Sequence, residues 1–173
     1  LLNRGDLAIY EREYALADQY KVNFKGAVSW SFEFENQPWF FGFRDLATNG
    51  VDKPVLNVFR MFGLMKGKRV DISSDQGYDL RTALDSSFRR SYPDINGLAC
   101  KDEHEATVML WNYHDDDVKR ADKEVTVQLS GLPQQVYMHH YRIDDEHSNS
   151  YEAWKKMGSP KTPTAEQIAQ LEK

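Results

Sequence analysis

A single cysteine, Cys100, excludes an intrachain disulfide and a cysteine-based zinc site. Basic charge is scarce as well: 22 Lys and Arg stand against 27 Asp and Glu, for a net charge of -5 and a pI near 5.5, so there is no cationic footprint for nucleic acid. No apolar run approaches the ~20 residues that cross a bilayer, and a mean hydropathy of -0.69 agrees. The chain opens at Leu1 without an initiator methionine, a charged leader region or a cleavage site. The expectation is a piece cut from something longer. Internal repeats, low-complexity tracts, a phosphate loop and a Ser-His-Asp order with a nucleophile elbow are all missing from the sequence.

Aromatic residues, by contrast, make up 13% of the chain, and they crowd into GAVSWSFEFENQPWFFGFR, Gly26 to Arg44. Flat rings offer apolar faces to the C–H faces of a pyranose, while Glu and Asn side chains exchange hydrogen bonds with its hydroxyls. Gly26 to Ser31 is too short and too β-branched for a helix and reads as a strand. Upstream, Asp6 to Tyr20 places Tyr10, Tyr14, Leu16 and Ala17 among charged residues at helical spacing. Downstream, Pro54 opens a second helix with Val55, Val58, Phe59 and Phe62 on its inner face, weakened by Gly63 and Gly67. Helix, strand, long loop and helix fit the last unit of a (β/α)8 barrel, in which reactive groups sit past the strands' C-terminal ends. On pattern alone, Trp30, Phe32 and Phe34 fit equally well as core residues of an α+β domain.

Beyond about residue 68 the spacing turns β-like. Arg69–Ile72, Gly97–Lys101, Ala106–Tyr113, Glu124–Ser130 and Gln135–Ile143 are short runs bounded by turn formers or charge. In the fourth of these, Val125, Val127 and Leu129 alternate with Glu124, Thr126 and Gln128, as a half-buried strand does. Runs at this spacing predict an antiparallel sandwich. Ser73 to Asn96 reads as a long connection around one short element. Tyr151–Met157 and Thr164–Glu172 read as short helices, the second opened by a Thr164/Gln167 capping box. The predicted class is α/β plus all-β: residues 1–66 as the C-terminal portion of a barrel, residues 67–173 as a β-sandwich with a C-terminal helical segment.

Three stretches carry a resemblance. VSWSFEFENQPWFFGFRDLATNGVDKPVLNVFRMFG, Val28 to Gly63, resembles the last barrel strand and following helix of glycoside hydrolase family 39, the β-xylosidase family. HHYRIDDEHSNSYEAWKKMGSPKTPTAEQIAQLEK, His139 to Lys173, resembles that family's C-terminal segment, and WNYHDDDV, Trp111 to Val118, a stretch between the two. The resemblance implies a retaining glycosidase built of a (β/α)8 barrel and a β-sandwich, with a glutamate acid/base and a glutamate nucleophile about 5 Å apart. In the family these lie on the fourth and seventh strands, so both are expected upstream of Leu1 and no catalytic residue is expected here. The implied partners are the upstream part of the same barrel and a small carbohydrate, a xyloside or xylooligosaccharide, with no membrane, nucleic acid, cofactor or metal.

Trp30 matches a strand-end tryptophan lining the family's xylose pocket, and Glu35 best matches a loop glutamate binding sugar hydroxyls; Glu33 is the competing candidate. Asn36 stands where some members carry a second Glu. Glu33 and Glu35, two apart on a strand, would hold carboxyls ~6 to 7 Å apart, within reach of a glycosidase dyad. Neighbours on one strand approach a sugar from the same side, whereas a dyad must flank the scissile bond. The substrate-binding candidates are thus Trp30, Glu33 and Glu35. Trp39, Phe40 and Phe41 read as packing against the sandwich. His114-Asp115-Asp116-Asp117 lacks the Gly turn and distal Glu of a calcium loop, and His139 and His140 point to opposite faces of a strand. Asp144-Asp145-Glu146-His147 reads as a hydrogen-bonded joint. A non-catalytic sandwich module that binds carbohydrate, or only buttresses an enzyme, is the alternative function, although it would have no use for a barrel strand and two helices at its start.

Overall fold

The computed structural model describes residues 6–27, 37–42, 45–86, 88, 91–115 and 121–173. The elements in chain order are α1 (Asp6–Gln19), β1 (Ala47–Thr48), β2 (Val51–Asp52), α2 (Pro54–Leu64), β3 (Lys68–Val70), α3 (Leu80–Ser86), β4 (Asp94–Lys101), β5 (Ala106–Tyr113), α4 (Ser150–Lys156) and α5 (Ala165–Leu171).

Helix α1 buries Ala8 and Ala17 and ends in a Schellman motif. Lys21 adopts φ 55° there, Val22 N donates to Ala17 O at 2.8 Å and Lys21 N to Asp18 O at 3.3 Å. Tyr10 meets Phe59 and Phe62 of α2 edge-on at 6.2 and 5.8 Å between ring centroids, so the two helices pack through aromatic edges. Helix α2 begins at Pro54, where the missing N–H costs nothing. The predicted long loop before it contains a hairpin instead. Thr48 pairs with Val51, and the two-residue turn between them is Asn49-Gly50, both at positive φ, as a primed turn requires.

Strands β3, β4 and β5 form one antiparallel sheet in sequence order. Along β5, Met109, Trp111 and Tyr113 are buried while Leu110 and Asn112 face water, the alternation of a sheet with one wet side. Ala8, Tyr78, Phe88, Leu98, Trp111 and Tyr113 form the core, with Phe62, Met65 and Ala83 packed against it. This core therefore joins helices from the first 66 residues to the sheet that follows. Asp94 opens β4 at its centre, fully buried. It accepts from the Tyr78 amide at 2.6 Å and the Trp111 indole at 2.7 Å, and lies 3.5 Å from the Arg12 guanidinium of α1.

Two differences from the sequence reading stand out. Strand β4 begins at Asp94 rather than Gly97, because the Asp94 carboxylate anchors that end. Glu124–Ser130 and Gln135–Ile143 form no strand among the described residues: 121–142 is exposed throughout. Their alternation supplies strand propensity, but a strand also needs a neighbouring ladder for its amides and carbonyls, and neither run has one. The described residues thus form two small antiparallel sheets and five helices.

Candidate functional site

Residues 28–31 of the predicted strand Gly26 to Ser31 and all three substrate-binding candidates, Trp30, Glu33 and Glu35, together with Asn36, lie outside the described residues, while Gly26 and Ala27 are described and are not in a strand. The backbone that follows them is described from Gln37.

Four residues beyond Asn36, Phe40 sits at φ 56°, a left-handed conformation costly for a bulky side chain. Its amide donates to Thr48 Oγ1 of the hairpin at 2.9 Å. Its ring lies 5.2 Å from Trp154 and 5.5 Å from Tyr151, both on α4, and 6.5 Å from its neighbour Trp39. Tyr151 and Trp154 are three apart and so share one helix face. The two rings stack at 6.0 Å, and the Trp154 indole N–H is fixed by Pro160 O at 3.1 Å. With Phe40 turned inward, Phe41 is thrown outward and is 65% exposed. Of the three aromatics expected to pack on the sandwich, Phe40 packs, on the C-terminal helical segment rather than on the sheet, with Trp39 beside it, while Phe41 does not.

A second tie lies at the other end of the hairpin. Ser150 Oγ donates to Asp52 O at 2.5 Å, and Asn57 Nδ2 of α2 donates to Ser148 O at 3.3 Å. Between the ties, buried Asp45 lies 4.0 Å from Lys53 Nζ. Gly42 makes room for it: a Cβ there would stand 2.0 Å from Asp45 Oδ2. Helix α4 itself is set by the acidic joint before it. Asp144 Oδ1 accepts from the Glu146 amide, the His147 amide and the His147 ring at 2.8 to 2.9 Å. Asn149 caps α4 through the Glu152 amide and donates back to Asp144 O.

The chemistry of these groups is structural. Burial pushes the Asp144 carboxyl up, but hydrogen bonds from Glu146 and His147 together with the Arg142 charge outweigh it and hold it at about 2. Hydrogen bonds from Thr82 lower Asp79, those from His104 and Glu105 lower Asp102, and one from Thr164 lowers Glu166. A carboxylate held ionised by its own turn cannot donate a proton to a leaving group near neutral pH. Burial pushes the Cys100 thiol up against the opposing Arg69 charge, which disfavours a thiolate nucleophile. Among the described residues no three His, Cys, Asp or Glu side chains form a metal-holding group. None of the described helices is long and apolar enough to cross a membrane.

Sequence reasoning missed the role of α4 as the wall behind the loop, although Tyr151 and Trp154 at i, i+3 mark an aromatic face. It also missed the hairpin, whose Asn-Gly pair is a strong local turn signal.

Comparison with known proteins adds an independent finding. The family model described as glycosyl hydrolases family 39 matches residues 14–173. A curated β-xylosidase from Caldicellulosiruptor saccharolyticus is 28% identical over 135 residues, which cover 78% of this chain and 25% of that protein. The chain thus spans about a quarter of the length of the curated relative it matches. No solved structure matches significantly.

Proposed function

Because the chain belongs to glycoside hydrolase family 39, we propose that it is the C-terminal part of a retaining β-xylosidase that removes terminal β-D-xylosyl residues from xylooligosaccharides. In this reading residues 1–66 complete a (β/α)8 barrel and residues 67–173 form a β-sandwich accessory domain with a helical end. Trp30 offers its ring to the sugar face, and Glu33 and Glu35 offer carboxylates to its hydroxyls. The acid/base and nucleophile glutamates come from upstream sequence. Upstream chemistry then follows the retaining course: the nucleophile forms a covalent glycosyl-enzyme, and water activated by the second glutamate releases the sugar.

The observation that carries this proposal is the family match across residues 14–173, which includes the aromatic and carboxylate stretch. The family relationship supports glycoside hydrolysis in general, and the relative named a β-xylosidase supports the xyloside. The test is hydrolysis of an aryl β-D-xyloside by the complete protein, beside Trp30→Ala, Glu33→Ala and Glu35→Ala. Loss of one hydrogen bond to a charged group is worth ~1.5 to 3 kcal/mol, so kcat/KM should fall at least about tenfold in one of the glutamate variants, and it should fall in Trp30→Ala through the lost ring contact. Variants that match the parent overturn the site. Turnover by the 173-residue chain alone would overturn the upstream placement of the glutamates.

A further inference from the structure

We infer that the C-terminal helical segment, residues 144–173, is a clasp that docks on residues 40–57 through its own contacts and holds there independently of the exposed run 121–142 that leads to it. The inference goes beyond the proposed function, since no step of it involves a sugar. It starts from exposure: every residue from 121 to 142 is exposed, whereas Ser150, Pro163 and Leu171 in the segment that follows are buried. A stretch that buries so little adds little to stability. What fixes the end of the chain therefore lies within 144–173 and the surface that receives it.

The clasp is ordered by short-range bonds. Asn149 caps α4 through the Glu152 amide, Trp154 Nε1 donates to Pro160 O at 3.1 Å across the turn after α4, and the Thr164/Gln167 capping box opens α5. All three lie within 144–173. Its ties to 40–57 are of two kinds: the Tyr151 and Trp154 rings hold Phe40 at 5.5 and 5.2 Å, and hydrogen bonds join Ser150 Oγ to Asp52 O at 2.5 Å and Asn57 Nδ2 to Ser148 O at 3.3 Å. The receiving surface is locally built as well. Thr48 Oγ1 accepts from the Phe40 amide at 2.9 Å, and Arg60 donates to Asp52 at 2.5 Å and to Asn57 at 3.0 Å. Two partners ordered beforehand lose little freedom on docking. The left-handed backbone of Phe40, φ 56°, agrees, because such a conformer persists only where its surroundings hold it, and the clasp supplies the ring side of that hold. While the chain is intact the docking is intramolecular and favoured by a high effective concentration. Cutting the run removes that advantage and leaves the contacts of the clasp alone.

The experiment inserts a protease recognition sequence after Gly131 of the complete protein, cleaves it, and follows the piece 132–173 by gel filtration at falling concentration. Gly131 lies in the exposed run with open space where a Cβ would stand. The cut parent should keep the piece at micromolar concentration. Cut Trp154→Ala should release it at a concentration about tenfold higher or more, because a tryptophan packed at the centre of an interface carries much of its strength. Trp154→Phe keeps a ring against Phe40 and should restore most of the retention, while Thr164→Ala, on α5 and outside these ties, should behave as the parent. Ser150→Ala removes the bond to Asp52 and should loosen the piece by a smaller factor, which keeps the comparison alive if Trp154→Ala fails to fold. Loss of the piece from the cut parent at micromolar concentration overturns the inference, and so does parent-like retention in the cut variants of Trp154 and Ser150. An inserted site that resists cleavage overturns it too, since the run would then be covered. None of these readouts needs a xyloside, so failure of the proposed function and failure of the clasp are told apart.

Discussion

At Asp94 a fully buried carboxylate takes hydrogen bonds from the Tyr78 amide and the Trp111 indole and faces Arg12 of α1, so one side chain holds a helix, a loop and two strands together. Removing one member of a buried charge pair leaves the other desolvated without compensation, at a cost of ~3 to 5 kcal/mol. Asp94→Ala should therefore lower stability by about that amount in urea unfolding, and Arg12→Met by less, since the amide and indole bonds survive. Equal stability of Asp94→Ala and the parent would show that the cluster is not under load. Nothing local announces Asp94 in the sequence, because its partners lie 82, 17 and 16 positions away. Gly42 is similar. Its importance comes from the Asp45 carboxylate that fills the place of its Cβ, and at φ 104° a side chain is strained as well. Gly42→Ala should loosen the loop beside the candidate sugar ligands, visible as faster exchange in 45–52.

Among elements, those set by local chemistry were legible. Pro54 at the head of α2 and the Thr164/Gln167 capping box of α5 appear where the residues called for them. Thr164→Ala should cost ~1 kcal/mol, read as a lower Tm with unchanged kinetics. The acidic turn before α4 was legible as a hydrogen-bonded joint for the same reason: Asp144, Glu146 and His147 are neighbours. It also sets a pH dependence. The folded carboxyl of Asp144 lies at about 2, below its ordinary value of 3.8. A depressed folded value means that the unfolded chain binds the proton more readily, so the contribution is fully present above about pH 4. It is lost as pH falls from there through about 2. Acid titration followed by exchange in 144–157 should show α4 loosening in that window, and Asp144→Asn should remove the step. A titration identical in the variant would assign acid sensitivity elsewhere.

At the scale of the whole molecule, α1 shares its core with β4 and β5, so Ala8, Leu98 and Trp111 are buried together across residue 66. The remaining β-like sequence behaves differently. Val125, Val127 and Leu129 are exposed on their alternating face, and Tyr137 is 100% exposed in the next run. The alternation was legible because side-chain period is local, whereas the sheet that would use it depends on a partner ladder that no local pattern supplies. This yields a discriminating prediction for the proposed sandwich. Val127 is 44% exposed and lies outside the buried core of the described residues, so in the 173-residue chain Val127→Lys should change stability by less than ~0.5 kcal/mol, as exposed substitutions do. If 124–129 completes a second sheet in the complete protein, the same change buries a charge where a valine side chain contributed ~1.5 to 3 kcal/mol. The complete protein should then lose at least that much, together with exchange protection across 124–129. An equal, small effect in both would leave the sheet β3-β4-β5 without a facing layer from this segment and would remove the sandwich from the proposed architecture.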